Sequence, residues 1–287
     1  MKLNKKLIIG ISVILVLIIS LYLFSSYKKQ RITGSFLTNV TDMHKEYMKM
    51  YNATRVHIND KNFADIDNFK IEIIKTNFEA GIWTQIKFNI TNVKTKKGIS
   101  DFDINHKKIL HLIMIRDDLH RFDHLHPDQI EPGLFSLPYL FRAPGRYREW
   151  IEFSINNTDY IVDFDVNVTG NKSYIDARYE DDVNVRFTIN IPDNIEVNKT
   201  YVINFTVTNV TDNKPFFITE KYLGASAHMI EIDETLEEFE HIYDENFDKD
   251  NIISFTHVFK KQGAHKMWIQ LSVHDIPRTV YFNLIVR

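Results

Sequence analysis

Five of the twelve histidines lie between positions 106 and 126: His106, His111, His120, His124 and His126. From His111 the chain reads HLIMIRDDLHRFDHLHPD. Neutral imidazole is a good ligand for Zn(II) and Cu(II), with the Irving–Williams order favouring copper. In an extended chain His124 and His126 project to one side, because side chains alternate with period two. His111 opens an apolar strand, and a turn over 116–122 would bring it back towards His124 and His126. Three imidazoles so placed, with water or Asp123, make a Zn(II) or Cu(II) site. A plainer reading stands beside it. His111 begins a strand apolar on both faces, where a hydrogen-bonded core histidine is common, and His124 and His126 would then be solvated turn residues before Pro127.

The elements that must position these residues occur twice. NITNV at 89–93 returns as TVTNV at 206–210, an offset of 117. At that offset His111 maps to His228 and His124 to His241. After a one-residue slip to 118, Gly145 meets Gly263, Trp150 meets Trp268, Phe164 meets Phe282 and Val168 meets Val286. So many uncommon residue types in register mark a tandem domain duplication. The second copy keeps the histidine spacing but has Tyr243 where the first has His126. His228 and His241 are therefore a second candidate site, and the shared pairs also suit a structural role.

Each copy is built from alternating strands. Phe88 and Ile90 oppose Lys87, Asn89 and Thr91; Ile203, Phe205 and Val207 oppose Asn204 and Thr206; Phe164, Val166 and Val168 oppose Asp163, Asp165 and Asn167. Such alternation marks half-buried strands of an antiparallel sheet. About seven short strands per hundred residues, punctuated by turns such as APGR at 143–146 and KQGA at 261–264, predict an all-β protein. The expected architecture is two tandem immunoglobulin-like β-sandwiches, at 69–170 and 182–287. An N-terminal transmembrane anchor at 1–27 and a juxtamembrane stalk with a short helix at 28–68 precede them.

The anchor is read from Leu7–Phe24, 18 residues without a charge, near the lower limit for crossing a bilayer. Phe24 occupies a position where signal cleavage before Tyr27 would require a small residue, so the helix is expected to stay attached. Lys2, Lys5 and Lys6 before the span nearly balance Lys28, Lys29 and Arg31 after it. Nine Asn-x-Ser/Thr triplets tip the expectation towards an extracytoplasmic chain. Asn89, Asn167 and Asn204 fall on outward strand positions, where a glycan can be carried.

Composition excludes several classes. The absence of cysteine removes disulfides, thiolate metal sites, thiol nucleophiles and blue-copper centres. A net charge of −3 gives no electrostatic footprint for nucleic acid. No nucleophile elbow, phosphate loop or dinucleotide fingerprint is present, and no enzymatic activity is expected. HLHPDQ at 124–129 partly matches a metallohydrolase signature but ends in Gln129, in a chain without the helices that fold needs. Asp244, Asn246 and Asp248 begin a calcium-loop pattern, but Lys249 stands at its glycine and Phe255 at its closing glutamate. In the stalk Met43, His44, Met48 and Met50 offer Cu(I) ligands, although a packed amphipathic face explains their spacing better.

The run His111–Pro127, followed by Phe135, Gly145 and Tyr147, resembles secreted β-sandwich proteins of the YtkA-like or FixH-like kind. These carry an HLHP or HVHP motif and a PGxY turn. YLGASAH at 222–228 is similar to a second-domain segment of the same proteins, so the resemblance spans about 69–287. It implies tandem immunoglobulin-like domains that handle metal, especially copper, outside the cytoplasm, without catalysis. His111, His124 and His126 match the first motif and His228 the second, while HIYD at 241–244 departs from a second H-x-H-P. Two functions fit the chain: a membrane-anchored binding protein for copper or zinc, or a metal-free surface structural or adhesion module. The expected partners are the membrane, a metal ion and an envelope protein.

Overall fold

A computed structural model describes residues 53–58, 62–171, 185–244 and 251–287, all within one compact unit, Glu46–Arg287. The expected anchor, the stalk helix, its methionines and half of the calcium-like loop lie outside the described residues. Among the described residues, no helix is long and apolar enough to cross a membrane. The protein is all-β and contains two tandem domains.

The first domain begins earlier than 69. Strands β1 (Thr54–Ile58) and β2 (Phe63–Ile66), in the stretch expected to be stalk, pair with its sheets. They are followed by β3 (Phe69–Ile73), β4 (Asn77–Glu79), β5 (Trp83–Asn92), β6 (Leu110–Arg116), β7 (Phe122–Leu125), β8 (Asp128–Glu131), β9 (Leu134–Leu140), β10 (Gly145–Ile155) and β11 (Thr158–Thr169). One sheet runs β2-β3-β5-β9-β8 and the other β1-β11-β10-β6-β7, with β4 also on β11. The second domain has β12 (Val185–Asn190), β13 (Thr200–Asn209) and β16 (Ile252–Val258) in one sheet. Its other sheet orders β15 (Phe239–Asp244), β14 (Ala227–Asp233), β17 (Gly263–Val273) and β18 (Ile276–Val286).

Period-two alternation drives each core. On β5 and β13 the inward residues Ile86, Phe88 and Ile90, and Ile203, Phe205 and Val207, are buried, with more exposed neighbours between them. Asn89, Asn167 and Asn204 fall on the outward parity, Asn167 exposed and Asn204 accepting a hydrogen bond from Ser254 at 2.7 Å. Gly145 and Gly263 open β10 and β17 at φ of 145° and 124°, a region L-residues avoid.

Strands β6 and β14 break the alternation, being buried at every position. The cause is a third apolar layer between the domains. The outer faces of β6, β7, β10 and β11 supply Ile113, Ile115, Phe122, Trp150 and Ile161, while the second repeat supplies Ile230, Ile232, Leu236, Phe239 and Trp268. The contacts are reciprocal. Phe122 stacks on Trp268 with centroids 4.9 Å apart, and its counterpart Phe239 stacks on Trp150 at 4.6 Å. Lys266 Nζ donates to the Leu119 carbonyl at 2.7 Å, and Arg148 Nη1 donates to the equivalent Leu236 carbonyl at 3.4 Å. In both pairs of contacts, where a residue of one repeat meets a residue of the other, their counterparts meet as well, as in an isologous dimer face.

One cross-strand pair exchanges its chemistry between the two cores. In the first, Met114 lies opposite Glu149; in the second, Glu231 lies opposite Met267. Acid and thioether have exchanged strands. Glu149 is fully buried and neither carboxylate oxygen has a hydrogen-bond partner, so desolvation raises its pKa to about 8.

Two predictions follow from this packing. Trp268→Ala removes a fully buried ring from the layer between the domains and should cost about 3–5 kcal/mol in denaturant unfolding. The Glu149 carboxyl keeps its proton to higher pH in the folded chain than in the unfolded one. Stability should therefore fall as pH rises from the unfolded value of 4.5 to about 8 and level off above it. That contribution has a ceiling of about 5 kcal/mol, and Glu149→Gln should remove the slope in urea titrations at successive pH values.

Candidate metal centre

The face between the domains also gathers the histidines. His111 on β6 and His124 on β7 share the outer face of their hairpin, whose register sets Ile113 opposite His124. His228 on β14 and His241 on β15 repeat the arrangement, with Ile230 opposite His241. The two hairpins meet. His241 lies 5.6 Å from His111 and 4.9 Å from His124 between ring centroids, and His228 lies 5.8 Å from His124. One ligand atom each from His111, His124 and His241 falls within 4.8 Å of the others. The two expected sites are thus a single cluster built by both repeats.

Hydrogen bonds fix most of the imidazole tautomers. His111 Nε2 lies 3.2 Å from the Asn105 carbonyl and His228 Nε2 lies 3.1 Å from the Tyr222 carbonyl. A carbonyl only accepts, so both Nε2 atoms carry the proton and both Nδ1 atoms keep a lone pair. His241 Nδ1 donates to Glu152 Oε2 at 2.6 Å, leaving its Nε2 bare. His124 Nδ1 donates to Gln270 Oε1 at 2.7 Å, which frees its Nε2 in the same way. Glu152 and Gln270 are counterparts at the offset of 118 and each orients the other repeat's histidine.

With neutral rings, two pairs of lone pairs then point at each other. His111 Nδ1 faces His124 Nε2 at 2.9 Å, and His228 Nδ1 faces His241 Nε2 at 3.2 Å. Only a cation between the nitrogens, a proton or a metal ion, makes such an approach favourable. Protons are disfavoured on His111, His124 and His228. Burial, followed by the neighbouring His241, lowers the pKa of His111 to about 4, and the same causes hold His124 and His228 well below the ordinary value. Nitrogens about 3.3 Å apart are what a tetrahedral ion with bonds of about 2.0–2.1 Å requires.

His126 stands beside this group. Its ring is 4.9 Å from His111 and 4.8 Å from His124, and its Nε2 is buried without a hydrogen-bond partner. Burial and the nearby His111 lower its pKa to about 3. Its counterpart Tyr243 packs 3.6 Å from the His106 ring. A cavity of about 20 Å³, lined by Asn105, His111, Glu152 and Tyr243 among others, reaches the edge of the cluster. The cluster draws on Glu152, Gln270 and His106, which reading each repeat separately does not single out. The available signal is the pairing of Glu152 with Gln270 at the 118 offset.

Comparison with known proteins adds the family. A model described as "Domain of unknown function (DUF8832)" matches residues 64–170 and again 179–287. The chain belongs to that family. No curated protein matches. Among solved structures, Salmonella alpha-2-macroglobulin reacted with methylamine shares 9% identity over 82% of this chain and 16% of its own, with a TM-score of 0.27. Escherichia coli alpha-2-macroglobulin activated by porcine elastase shares 11% over 76% and 23%, at 0.28. The FN1–FN3 domains of chicken CNTN1 share 5% over 75% and 64%, at 0.22. The chain spans less than a quarter of either macroglobulin, and likeness at these scores carries no argument about the DUF8832 pair.

In metal-free protein near pH 7, long-range ¹H–¹⁵N spectra should show His111 and His228 protonated at Nε2 and His241 at Nδ1. An Nδ1-protonated His228 would remove the facing lone pairs.

Proposed function

We propose that the protein is a membrane-anchored, extracytoplasmic binding protein that holds one copper or zinc ion between its two repeats. The observation that carries this reading is the convergence of one ligand atom each from His111, His124 and His241, drawn from two domains, within 4.8 Å of one another. His111, His124 and His241 are the proposed ligands, with His126 and His228 beside them. An all-imidazole set suits Cu(II) and Zn(II). Glu152 and Gln270 act behind His241 and His124 as the outer hydrogen-bond partners that metal-bound histidines ordinarily have. The HLHP segment's resemblance to YtkA-like and FixH-like proteins supports the same choice of metals.

The extracytoplasmic setting is proposed from the apolar segment Leu7–Phe24 and from the outward sequons at Asn89, Asn167 and Asn204. The strand orders β3-β5-β9-β8 and β7-β6-β10-β11, with β1 and β4 running parallel to β11, fit an immunoglobulin-type sandwich. Scaffolds of that type are used for binding and for structure. The rival, a metal-free surface module, draws on the same hydrogen bonds to Glu152 and Gln270, which bridge the repeats without an ion.

Calorimetric titration of the chelator-stripped full chain with Cu(II) and Zn(II) separates the two. The metal reading expects an ion whose binding is lost in His111→Ala/His241→Ala, and a 10–100-fold weaker affinity in Glu152→Ala. No binding by the wild type tighter than about 10 μM, a free energy of about 7 kcal/mol, would leave the structural reading standing.

A further inference from the structure

The second domain contains another convergence of ligand atoms, inside its own core. Glu231 on β14, Glu238 just before β15 and His257 on β16 each bring one donor atom within 4.8 Å of the others. Glu231 and His257 are fully buried and Glu238 is nearly so. His257 has no hydrogen-bond partner at either ring nitrogen, and Glu231 Oε2 also lacks one. These two groups face each other across 3.4 Å, His257 Nε2 to Glu231 Oε2. The remaining carboxylate atoms are held from outside. Glu231 Oε1 bonds His265 Nδ1, and His265 Nε2 donates to the Lys261 carbonyl. The Lys260 and Lys261 amides donate to the two Glu238 oxygens at 2.6 and 2.7 Å. Second contacts thus fix both carboxylates, while an imidazole within ion-pair range of Glu231 but without a hydrogen bond points among them.

The first repeat serves as an internal comparison. At the same four places it has Met114 for Glu231, Arg121 for Glu238, Tyr139 for His257 and Tyr147 for His265. Backbone register supports the match, since Thr84 lies opposite Tyr139 as Tyr201 lies opposite His257. The first repeat satisfies these residues internally. Tyr139 donates to Asp123 at 2.6 Å, Arg121 pairs with Asp123, and Tyr147 donates to the Ala143 carbonyl at 2.8 Å. A thioether and two phenols suffice to pack this end of a sandwich. The second repeat replaces them with Glu231, His257 and His265 and leaves the central imidazole without a hydrogen bond.

We propose that Glu231, Glu238 and His257 form a second, structural divalent-metal site of the Zn(II) class, enclosed within the second domain. Two carboxylates and one imidazole are a harder donor set than the imidazoles between the domains, suited to Zn(II) and also acceptable to Mn(II). His265 is a positioning residue that orients Glu231, as the outer hydrogen-bond partner of a ligating carboxylate does. A site closed to solvent exchanges its ion slowly and fills as the domain folds.

The test uses the full chain, unfolded in denaturant with chelator, refolded with Zn(II), passed over chelating resin and assayed for zinc by mass spectrometry. The variant Glu231→Met/His257→Tyr installs the first repeat's own residues, so the packing has a precedent. It should retain one zinc fewer per chain than the wild type. His111→Ala/His241→Ala should keep the zinc that the other variant loses, whatever becomes of the ion between the domains. Equal zinc in the wild type and Glu231→Met/His257→Tyr would overturn the proposal, as would a folded His111→Ala/His241→Ala chain holding none. If either double variant fails to fold, Glu238→Gln decides: accelerated zinc loss to chelator supports the site, and an unchanged rate refutes it.

Discussion

The reciprocal stacking of Phe122 on Trp268 and of Phe239 on Trp150 is the constraint on which the rest of the structure depends. A free-standing sandwich keeps the outer faces of its sheets in water. Here one outer face of each repeat is apolar and closes on the other, so β6 and β14 have no solvent side at all. Several of the polar groups in this layer meet a partner across it. Glu152 enters against His241, Gln270 against His124, and Arg148 and Lys266 against backbone carbonyls across the gap. The aromatic stacks set the separation of the sheets, and that separation lets four imidazoles from two domains approach one another.

Much of this architecture could be read from the residues in order. Alternation on β5, β11 and β13 gives strands and inward faces, and the 117 and 118 offsets give the duplication. The pairs His111/His124 and His228/His241 were legible as candidates because hairpin geometry is local. Their convergence was not, since periodicity within a strand reports which face is apolar and not what covers it. The uninterrupted apolar run of β6 was read as burial of a strand, without a second domain being named as the cover. The early strands β1 and β2 were missed for a related reason. At an edge, a short strand such as Phe63–Ile66 has only Ile66 fully buried, too little alternation to register.

The two repeats share a backbone plan and divide the chemistry. Between the domains, counterpart residues do like work: His111 with His228, His124 with His241, and Glu152 with Gln270. Inside the cores they diverge. Glu149 is a lone acid among apolar side chains, whereas Glu231 sits among His257, His265 and Glu238. The same cross-strand position therefore holds a carboxyl kept neutral by desolvation in one domain and a carboxylate surrounded by polar groups in the other.

The near-symmetric face between the repeats also bears on how such a chain can change. In a homodimer every substitution at a two-fold face appears twice, so an acid placed opposite a histidine necessarily brings a second acid with it. Joining the two copies in one polypeptide removes that doubling and holds the halves at a high effective concentration whatever their separate affinity. Glu152 can then differ from Gln270, and His126 from Tyr243, without the face losing its fit. Covalent linkage thus turns a symmetric surface into one whose two sides can be tuned independently.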